Sequence, residues 1–585
     1  MRYGYFDDAA REYVITRPDT PRSWINYLGS RLYGGIITQN AGGYSFYRSG
    51  GTGRVLRMRF NGVPVDEPGR YLYLRDDTGS SRATAGDYWS ASWQPVGKPL
   101  DRYDARVRHG LGYSVFEAEY AGIRSELTCF IPNGQAFEYW SLVVTNPSTE
   151  ARTISVFSYA ELANEWVYRQ DLENLQYSQY VVRATYRDQM IHRSNSTRDA
   201  MSELWFGVSG ADVVGYDTDR DAFLGPYRTQ ANPIAVERGA CSGSETVGDN
   251  SCASLQVRLD LAPGESRQVV YCLGIGNPDR PWRDDRETIG APPGEPPLRP
   301  GRDVMAEFAT PERVATELAA IRTEWAGHLA PLQVTTPDAD LDSMVNVWHA
   351  YQTHMTFSWS RGVSLVEAGD RDGLGYRDTV QDMLAVTHAI PEAVRERLDL
   401  ILTGQTAEGG ALPLVKPLSH APGHMTAPSL EQYRSDDALW LPITVANFVY
   451  ETGDVGYLDE VLPFADHDEG TVFEHLLRAL TFSLVHRGDN GLVQDLAADW
   501  NDCLQFGTTG ESMFSTFLLA NGLRITHELA EQSGRPADAQ WCEDRLAEIH
   551  PAIDAAWDGE WIIRGFWATG AAFGSHLAEE GKIYL

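Results

Sequence analysis

A chain of 585 residues, 43% of them hydrophobic, is too long for one core, since single cores stop growing at roughly 250–300 residues, so we expect two large domains. Its 81 acidic residues outnumber its 49 basic ones and give a formal net charge of -32, which excludes nucleic acids and anionic lipid surfaces as partners. The sequence has no apolar run of about 18 residues that predicts a membrane-spanning helix. Its N-terminus does not resemble a signal peptide, so we expect a cytoplasmic protein.

The cysteines and short motifs give little sign of metal, nucleotide or serine-hydrolase chemistry. The six cysteines show no Cys-x-x-Cys spacing and the sequence has no HExxH motif, so no metal site is expected. Glycine-rich phosphate loops and the GxSxG nucleophile motif are also missing from the sequence. Cys241 and Cys252 flank a Gly/Ser/Asn-rich loop, but free thiols are expected in a chain without an export signal.

Residues 1–285 show the period-two pattern of β-strands. Apolar and polar residues alternate over residues 56–60 and 255–261, which places one strand face on a core and the other in water. Residues 138–146 and 152–157 are predicted as adjacent strands joined by an Asn-Pro-Ser turn. Many short strands with Gly, Pro and Asn turns predict an N-terminal antiparallel β-sandwich.

A Pro/Gly-rich segment then leads to a helical part, and we place a linker with one helix at residues 286–334. Thr310 and Pro311 offer that helix an N-cap and a first-turn proline. Its apolar stripe consists of Val314, Leu318, Ile321 and Trp325. Residues 335–585 continue as helical stretches between Gly/Pro loops, most clearly at residues 437–450, 473–486, 512–532 and 537–557. A sandwich followed by a helical array fits either a sugar-processing enzyme with an α/α toroid or two unrelated binding modules.

The first loop with chemical potential covers residues 370–382, which hold six charged residues around two glycines directly before an apolar helix. Glycines let the backbone approach a ligand closely. Arginine and aspartate side chains can grip sugar hydroxyls through charge-assisted hydrogen bonds, and the candidates are Arg371, Arg377, Asp378 and Asp382. The alternative is a salt-bridged helix N-terminus with an acidic first turn.

The second loop, residues 499–502, reads Asp-Trp-Asn-Asp. Asp502 has the chemistry of a general acid if burial or the neighbouring Asp499 keeps its carboxyl group protonated, and Trp500 offers a ring to a pyranose. The alternative is a polar capping turn with a core tryptophan. A third segment, residues 435–437, begins a helix with two carboxylates, and an N-cap serine explains it equally well.

Together these stretches resemble glycoside hydrolase family 94, the cellobiose phosphorylase group with its cellobionic acid and laminaribiose branches. The resemblance covers essentially the whole chain. It rests on segments that follow one another in the family's order, at residues 1–8, 12–15, 40–47, 70–77, 88–90, 377–382, 435–437 and 499–502. Each segment alone is a weak signal, whereas all of them in this order are highly specific.

The resemblance implies an N-terminal β-supersandwich, linker helices and an (α/α)6 barrel, usually in a homodimer. Such enzymes cleave a β-linked glucosyl disaccharide with inorganic phosphate, by inversion, to α-glucose 1-phosphate and an acceptor sugar, with no cofactor. Phosphate is already an anion, so one carboxylic acid suffices, and the family motif gives that role to Asp502. The positions that match the family's glucose site are Arg377, Asp378 and Trp500, to which the loops add Arg371, Asp382 and Asp499 as substrate-binding candidates.

Two departures from the family pattern affect these expectations. Family members carry an arginine six residues before Asp378, where this chain has Asp372 with Arg371 beside it. Either Arg371 substitutes for it after a small loop shift or the glucose site is altered. Family chains are also longer, so the resemblance implies that residues 335–585 form an incomplete barrel and that the phosphate-binding residues lie beyond Leu585.

Two alternatives to the phosphorylase remain open at this point. An inverting β-glycoside hydrolase needs a carboxylate base about 6.5–9.5 Å from Asp502, for which Asp378, Asp436 and Asp437 are candidates. In the other alternative, the 585-residue chain is an inactive truncated fragment that only binds glucosides.

Overall fold

The structure is a computed structural model that describes residues 2–58, 66–79, 86–164, 167–195, 203–276, 298–360, 362–367, 369, 373–578 and 581–582. The chain forms two compact units. The first comprises residues 1–327 and 361–372, and the second comprises residues 328–360 and 373–585. The chain passes from the first unit to the second between residues 327 and 328, inside the predicted linker at residues 286–334, of which residues 286–297 lie outside the described part. Residues 361–372 belong to the first unit, whereas the predicted helical domain at residues 335–585 includes them.

Antiparallel sheets make up most of the first unit, and in its described residues the largest sheet has eleven strands. In spatial order these are Gly4–Asp7, Glu12–Ile15, Asp104–Gly110, Tyr113–Tyr120, Ile123–Phe130, Phe137–Thr145, Ser266–Gly276, Glu203–Ser209, Met190–Asn195, Val182–Arg187 and Thr246–Val247. A second sheet contains Val213–Asp219, Ser251–Leu261, Arg152–Tyr159, Tyr71–Asp76 and Tyr88–Ser90. A third contains Ile25–Gly29, Tyr33–Thr38 and Ser45–Tyr47.

Short helices accompany these sheets, and one longer helix runs across the point, between residues 327 and 328, where the chain passes into the second unit. They are Tyr168–Glu173, Leu175–Tyr180, Arg220–Leu224, Ile234–Arg238, Gly301–Phe308 and Pro311–Leu329. The last is the helix predicted from the apolar stripe, and the Thr310 hydroxyl accepts a hydrogen bond from the Arg313 amide at 3.2 Å, as expected of an N-cap. All six cysteines lie in the described residues and are free thiols there.

The strand Ser251–Leu261 shows why alternation was a good guide. Leu259 and Leu261 are buried while Arg258 and Asp260 are exposed, as a half-buried strand requires. The other alternating stretch does not form a strand in its described residues 56–58, and Arg57, which was predicted to face water, is buried against Asp171. Residues 59–60 lie outside the described part.

The predicted pairing of residues 138–146 with residues 152–157 is wrong, because the two strands belong to different sheets. Both strands are mostly buried, so neither has a polar face that would reveal its partner. The Asn146 side chain instead donates to the carbonyl oxygens of Leu261 and Ala262, at 3.2 and 3.1 Å. The turn is therefore held by the far end of another strand, and the chain crosses between sheets.

The second unit is mainly helical. Its helical segments are Ala339–Ser343, the π-helix Met344–His349, Ala350–Trp359, Tyr376–Leu384, Pro391–Leu402, the 3₁₀-helices Asp437–Trp440 and Val455–Asp459, Leu441–Thr452, Val472–Val485, Met513–Gln532 and Pro536–Ala555. Short strand pairs link them, at Leu374–Gly375 with Leu414–Val415, at Val461–Pro463 with Glu469–Thr471, and at Val493–Gln494, Glu511–Ser512, Gly565–Phe566 and Ala572–Phe573.

One of these helices begins at a clear capping signal in the sequence. Helix Val472–Val485 opens with a capping box, in which the Thr471 hydroxyl accepts from the Glu474 amide and the Glu474 carboxylate accepts from the Thr471 amide. Its apolar stripe, including Leu476 and Leu480, is fully buried in the unit's core. An antiparallel sheet domain followed by a helical domain confirms the predicted fold class. Among the described residues no helix is both long and apolar enough to cross a membrane.

Candidate active site

The loop that carries Asp502 is closed at its base. The pairing of Val493–Gln494 with Glu511–Ser512 leads into and out of it. The Asp495 amide donates to the Gly510 carbonyl at 2.7 Å, and Asp495 Oδ2 accepts from the Phe506 amide at 2.8 Å. A Cβ on Gly510 would lie 2.4 Å from the Phe506 carbonyl oxygen, so only glycine fits there. Asp502 lies between these anchors, with 64% of its side chain exposed.

The segment of residues 433–437 runs alongside this loop. The Ala497 amide donates to the Tyr433 carbonyl at 2.9 Å, and the Ser435 amide donates to the Ala498 carbonyl at 3.1 Å. The Ser435 hydroxyl is also 2.8 Å from that of Ser515, so the predicted N-cap serine instead ties the segment to a neighbouring helix. This pairing places the charged residues of the two segments next to each other.

Arg377 connects the two segments. Its Nε donates to Asp437 Oδ1 at 3.0 Å and its Nη1 donates to the Asp499 carbonyl at 2.6 Å. Its Nη2 lies 3.3 Å from Asp436 Oδ1 and 3.5 Å from Asp502 Oδ1. With only 7% of its side chain exposed, Arg377 is mainly bound to protein groups.

Arg377 projects from the first turn of helix Tyr376–Leu384. Gly375 precedes that helix, and a Cβ there would lie 2.6 Å from Asp378 Oδ2, so glycine leaves room for this carboxylate. Asp378 and Asp382 are both half-buried and are four residues apart, so they lie on the same helix face.

Asp499 and Trp500 have opposite environments. Asp499 is fully buried: its Oδ2 accepts from Arg564 Nη2 at 2.5 Å and from the Ser512 hydroxyl at 2.6 Å. Its Oδ1 accepts from the Asn501 amide at 2.8 Å, which shapes the turn before Asp502. Trp500 is 53% exposed and is therefore accessible to a ligand rather than part of the core.

The buried carboxyl groups of Asp436 and Asp437, next to Arg377, have raised pKa values. Burial raises the pKa of Asp437 to about 7, with the adjacent Asp436 adding to the increase. Burial likewise raises the pKa of Asp436 to about 6, although Arg377 opposes the shift and Trp440 donates to its Oδ2 at 3.0 Å. Both shifts favour the protonated form of these carboxyl groups, whose charge Arg377 balances.

One guanidinium group that the sequence analysis did not single out completes the site. Arg434 Nε lies 3.2 Å from Asp502 Oδ1, the same oxygen that Arg377 approaches. Four aspartates in these two short segments need more cations than Arg377 alone, but this charge balance does not identify which arginine supplies the second cation. The structure thus brings together the predicted residues Arg377, Asp499 and Asp502, whereas Arg371 lies outside the described residues and its role stays a prediction.

Asp495, which closes the loop that carries Asp502, is expected to make a pH-dependent contribution to stability. Burial raises its pKa to about 7, with Asp499 increasing it further and Arg564 opposing the change. A carboxyl group with a raised folded-state pKa stabilises the fold fully below its unfolded pKa, and this stability is lost as the pH rises from about 4 to about 7. We expect Asp495→Asn, whose amide oxygen still accepts from the Phe506 amide, to unfold at a higher temperature than wild type at about pH 8 and to lose this advantage at about pH 5.

Thermal unfolding of both proteins across this pH range measures the effect. Asp489→Asn is the matched control, because Asp489 is exposed and its replacement should leave the melting temperature nearly unchanged at every pH. A melting-temperature difference between Asp495→Asn and wild type that is independent of pH would contradict the assignment.

Among the described residues, no group of three or more His, Cys, Asp or Glu side chains is arranged to hold a metal ion. The residues that meet around Asp502 provide carboxylates, guanidinium groups and one exposed indole. Such a set can donate a proton, stabilise the resulting carboxylate and contact a sugar ring.

Comparison with known proteins identifies the family. Residues 11–290 match the glycosyl hydrolase 94 supersandwich domain, and residues 324–585 match the catalytic domain of the glycosyl hydrolase 94 superfamily. The chain is 39% identical to N,N'-diacetylchitobiose phosphorylase of Vibrio proteolyticus and 38% identical to that of Vibrio furnissii, in each case over 100% of this chain and 72% of the relative. It is 30% identical to solabiose phosphorylase of Paenibacillus borealis, over 100% of this chain and 70% of the relative.

Solved structures support the fold. A bacterial glucoamylase complexed with acarbose matches with a TM-score of 0.54 at 9% identity, over 93% of this chain and 70% of that one. At this identity the likeness concerns architecture alone. The two domain matches and the similarity to curated phosphorylases confirm the resemblance inferred from the motifs: the chain belongs to glycosyl hydrolase family 94 and is an enzyme of its disaccharide phosphorylase group.

Proposed function

We propose that Asp502 is the general acid for inverting phosphorolysis of a β-linked disaccharide. The observation that carries the proposal is the asymmetric environment of its carboxyl group. Oδ1 lies near two guanidinium groups, whereas Oδ2 makes no hydrogen bond to any described residue, and the side chain is largely exposed. Oδ2 is therefore the oxygen that can reach a glycosidic oxygen. Neither condition that the sequence set for a protonated Asp502 is met by the protein alone, because its side chain is exposed and Asp499 is bound to Arg564 and Ser512, so the proposal requires the bound substrate to bury this carboxyl group.

The reaction balances with one protein carboxyl group. A phosphate oxygen forms a bond to the anomeric carbon on the face opposite the leaving group, and the glycosidic C–O bond breaks. The leaving oxygen takes the proton of Asp502, which yields an α-sugar 1-phosphate and a free acceptor sugar. Arg377 and Arg434 then stabilise the negative charge that develops on the carboxylate as the proton departs.

The other site residues divide into two roles in this proposal. Trp500 is exposed beside Asp502 and packs against the substrate, while Asp378 and Asp382 on their shared helix face accept hydrogen bonds from sugar hydroxyls. Arg377 and Asp499, which are buried and bound to protein groups, hold Asp502 in place rather than grip the sugar. We retain homodimerisation and a cytoplasmic location as predictions.

For the substrate, we propose a disaccharide with an N-acetylglucosaminyl group at its non-reducing end, ahead of the glucosyl disaccharides cellobiose, laminaribiose and cellobionic acid. The support is the identity of 39% and 38% to two N,N'-diacetylchitobiose phosphorylases, compared with 30% to solabiose phosphorylase. An extra acetamido group needs both space and hydrogen-bond partners, so the two substrate classes are separable by rate.

The hydrolase alternative has weaker support. Asp436 and Asp437 are fully buried and interact with Arg377, so neither is free to activate a water molecule. Asp378, which is half-buried, is the better candidate for such a base. Release of both sugars without phosphate would favour hydrolysis.

The experiment incubates the full-length protein with N,N'-diacetylchitobiose, cellobiose, laminaribiose or cellobionic acid, each with and without inorganic phosphate, and follows products by ³¹P NMR. We expect one equivalent of α-sugar 1-phosphate per disaccharide cleaved, fastest with N,N'-diacetylchitobiose, and no cleavage without phosphate. Cleavage at equal rates without phosphate would contradict phosphorolysis. Turnover by the full-length protein, with only saturable disaccharide binding by the 585-residue chain, would support the fragment alternative.

A further inference from the structure

The backbone of Arg434 is held in place, whereas the outer nitrogens of its guanidinium group make no hydrogen bond within the described residues. Its backbone forms a bridge with Leu496, which holds it beside the Asp502 loop. Its Nε lies 3.2 Å from Asp502 Oδ1. Within the described residues Nη1 and Nη2 make no hydrogen bond, and 33% of the side chain is exposed. The outer edge of this guanidinium therefore faces solvent beside the proton donor.

Arg377 cannot have the same role, although it approaches the same carboxylate oxygen. Its Nε and Nη1 donate to protein oxygens, and its Nη2 lies between Asp436 and Asp502. The two arginines thus divide the work: Arg377 is buried and holds the site together, whereas Arg434 keeps a planar pair of donors for a ligand.

The stereochemistry of the proposed reaction determines which ligand group Arg434 faces. The proton donor lies within about 2.6–3.2 Å of the glycosidic oxygen, which leaves with the acceptor sugar. Phosphate attacks the opposite face of the anomeric carbon. Because Arg434 contacts the carboxylate of the proton donor itself, it lies on the side of the leaving sugar and away from the attacking phosphate.

We propose that Arg434 binds the acceptor sugar through hydrogen bonds from Nη1 and Nη2 to a pair of hydroxyls or to a carbonyl or carboxylate oxygen, and so determines acceptor specificity. This inference rests on the proposed function for its choice of ligand. A planar guanidinium gives two parallel hydrogen bonds, whereas a lysine ammonium gives a point charge without that geometry. Arginine at this position therefore selects for the spacing of two oxygens on the acceptor.

The test uses the synthetic direction, in which α-sugar 1-phosphate and an acceptor sugar are separate substrates of the full-length enzyme. Arg434→Met is expected to raise the KM for the acceptor by about tenfold or more, and to change the KM for the sugar 1-phosphate by less than about twofold. Arg434→Lys should recover only part of this loss. Arg395→Met is the matched control, because Arg395 is 36% exposed and also forms ion pairs, at 3.0 Å to Asp454 and to Glu460.

Two results would overturn the proposal. One is an unchanged acceptor KM in Arg434→Met, and the other is an equal or larger rise in the KM for the sugar 1-phosphate. The melting temperatures of Arg434→Met and Arg395→Met, compared with that of wild type, show whether each variant folds. If Arg434→Met does not fold, the KM values of Arg434→Lys for the acceptor and for the sugar 1-phosphate provide the same test.

A binding measurement separates this proposal from the proposed function. If the wild-type enzyme forms no sugar 1-phosphate, the phosphorylase assignment fails, and the role of Arg434 is then measured by saturation-transfer NMR with N-acetylglucosamine and glucose. Loss of the saturation-transfer signal in Arg434→Met but not in Arg395→Met would support an acceptor site at Arg434. Equal signals from wild type and both variants, or no signal from any of them, would overturn it.

Discussion

Asp502→Asn is expected to lower kcat for phosphorolysis by about 10³-fold, within the range of about 10²–10⁴-fold that general acid catalysis contributes. The amide keeps the shape of the side chain but has no acidic proton to give to the leaving oxygen. Because Asp502 is largely exposed, the replacement should not disturb folding. Initial rates with saturating disaccharide and phosphate measure the loss.

The loss should depend on the leaving group. An aryl β-glycoside with a strongly acidic phenol departs without protonation, so Asp502→Asn should retain much more of the wild-type rate on that substrate than on a disaccharide. Asp489→Asn controls for an aspartate replacement elsewhere in the same unit, because Asp489 is exposed. If Asp502→Asn stays within tenfold of wild type on the disaccharide, Asp502 is not the proton donor.

Arg377→Met is expected to destabilise the helical unit by about 3–5 kcal/mol, because it leaves Asp436 and Asp437 buried without their main cation. This loss of stability should be largest at about pH 8 and smaller at about pH 5, because the raised pKa values of both aspartates let them bind protons as the pH falls over that interval. Thermal unfolding at the two pH values measures both effects, and turnover should fall together with stability.

A double variant tests whether the buried carboxylates cause the loss of stability in Arg377→Met. Asp437→Asn in the Arg377→Met background removes one uncompensated charge and should recover part of the lost stability, but it should not recover turnover because Asp502 still lacks its buried partner. Arg395→Met, which breaks partly exposed ion pairs, should cost no more than about 1 kcal/mol. A melting temperature of Arg377→Met equal to that of Arg395→Met would contradict the role of Arg377 as the link between the two segments.

Sequence periodicity predicted the order of the fold and several of its elements. The strand at residues 255–261 and the helices at residues 473–486 and 512–532 appear close to their predicted limits, because one face of each is apolar and the spacing of that face reveals the element. The partners of Phe137–Thr145 and Arg152–Tyr159 were not predictable in the same way. Strands buried on both faces carry no alternation, and pairing between distant strands depends on the whole sheet.

The candidate site was predictable only in part. The motif at residues 499–502 identified a proton donor, but it did not show that Asp499 is buried against Arg564, a contact between residues 65 positions apart in the chain. Arg434 was missed because its significance arises from one ion pair with Asp502 across 68 positions, which no local pattern encodes. Spacing along the chain finds residues that act together in one loop, whereas the charge partners of that loop require the fold.

In the proposed mechanism, Asp502 protonates the leaving sugar while phosphate attacks the anomeric carbon. The most direct measurement is ³¹P NMR of wild-type and Asp502→Asn full-length protein with N,N'-diacetylchitobiose and inorganic phosphate. We expect an α-sugar 1-phosphate resonance that grows with wild type and is nearly absent with a folded Asp502→Asn protein. Growth of that resonance at comparable rates with both proteins, or a β-sugar 1-phosphate as the product, would contradict it.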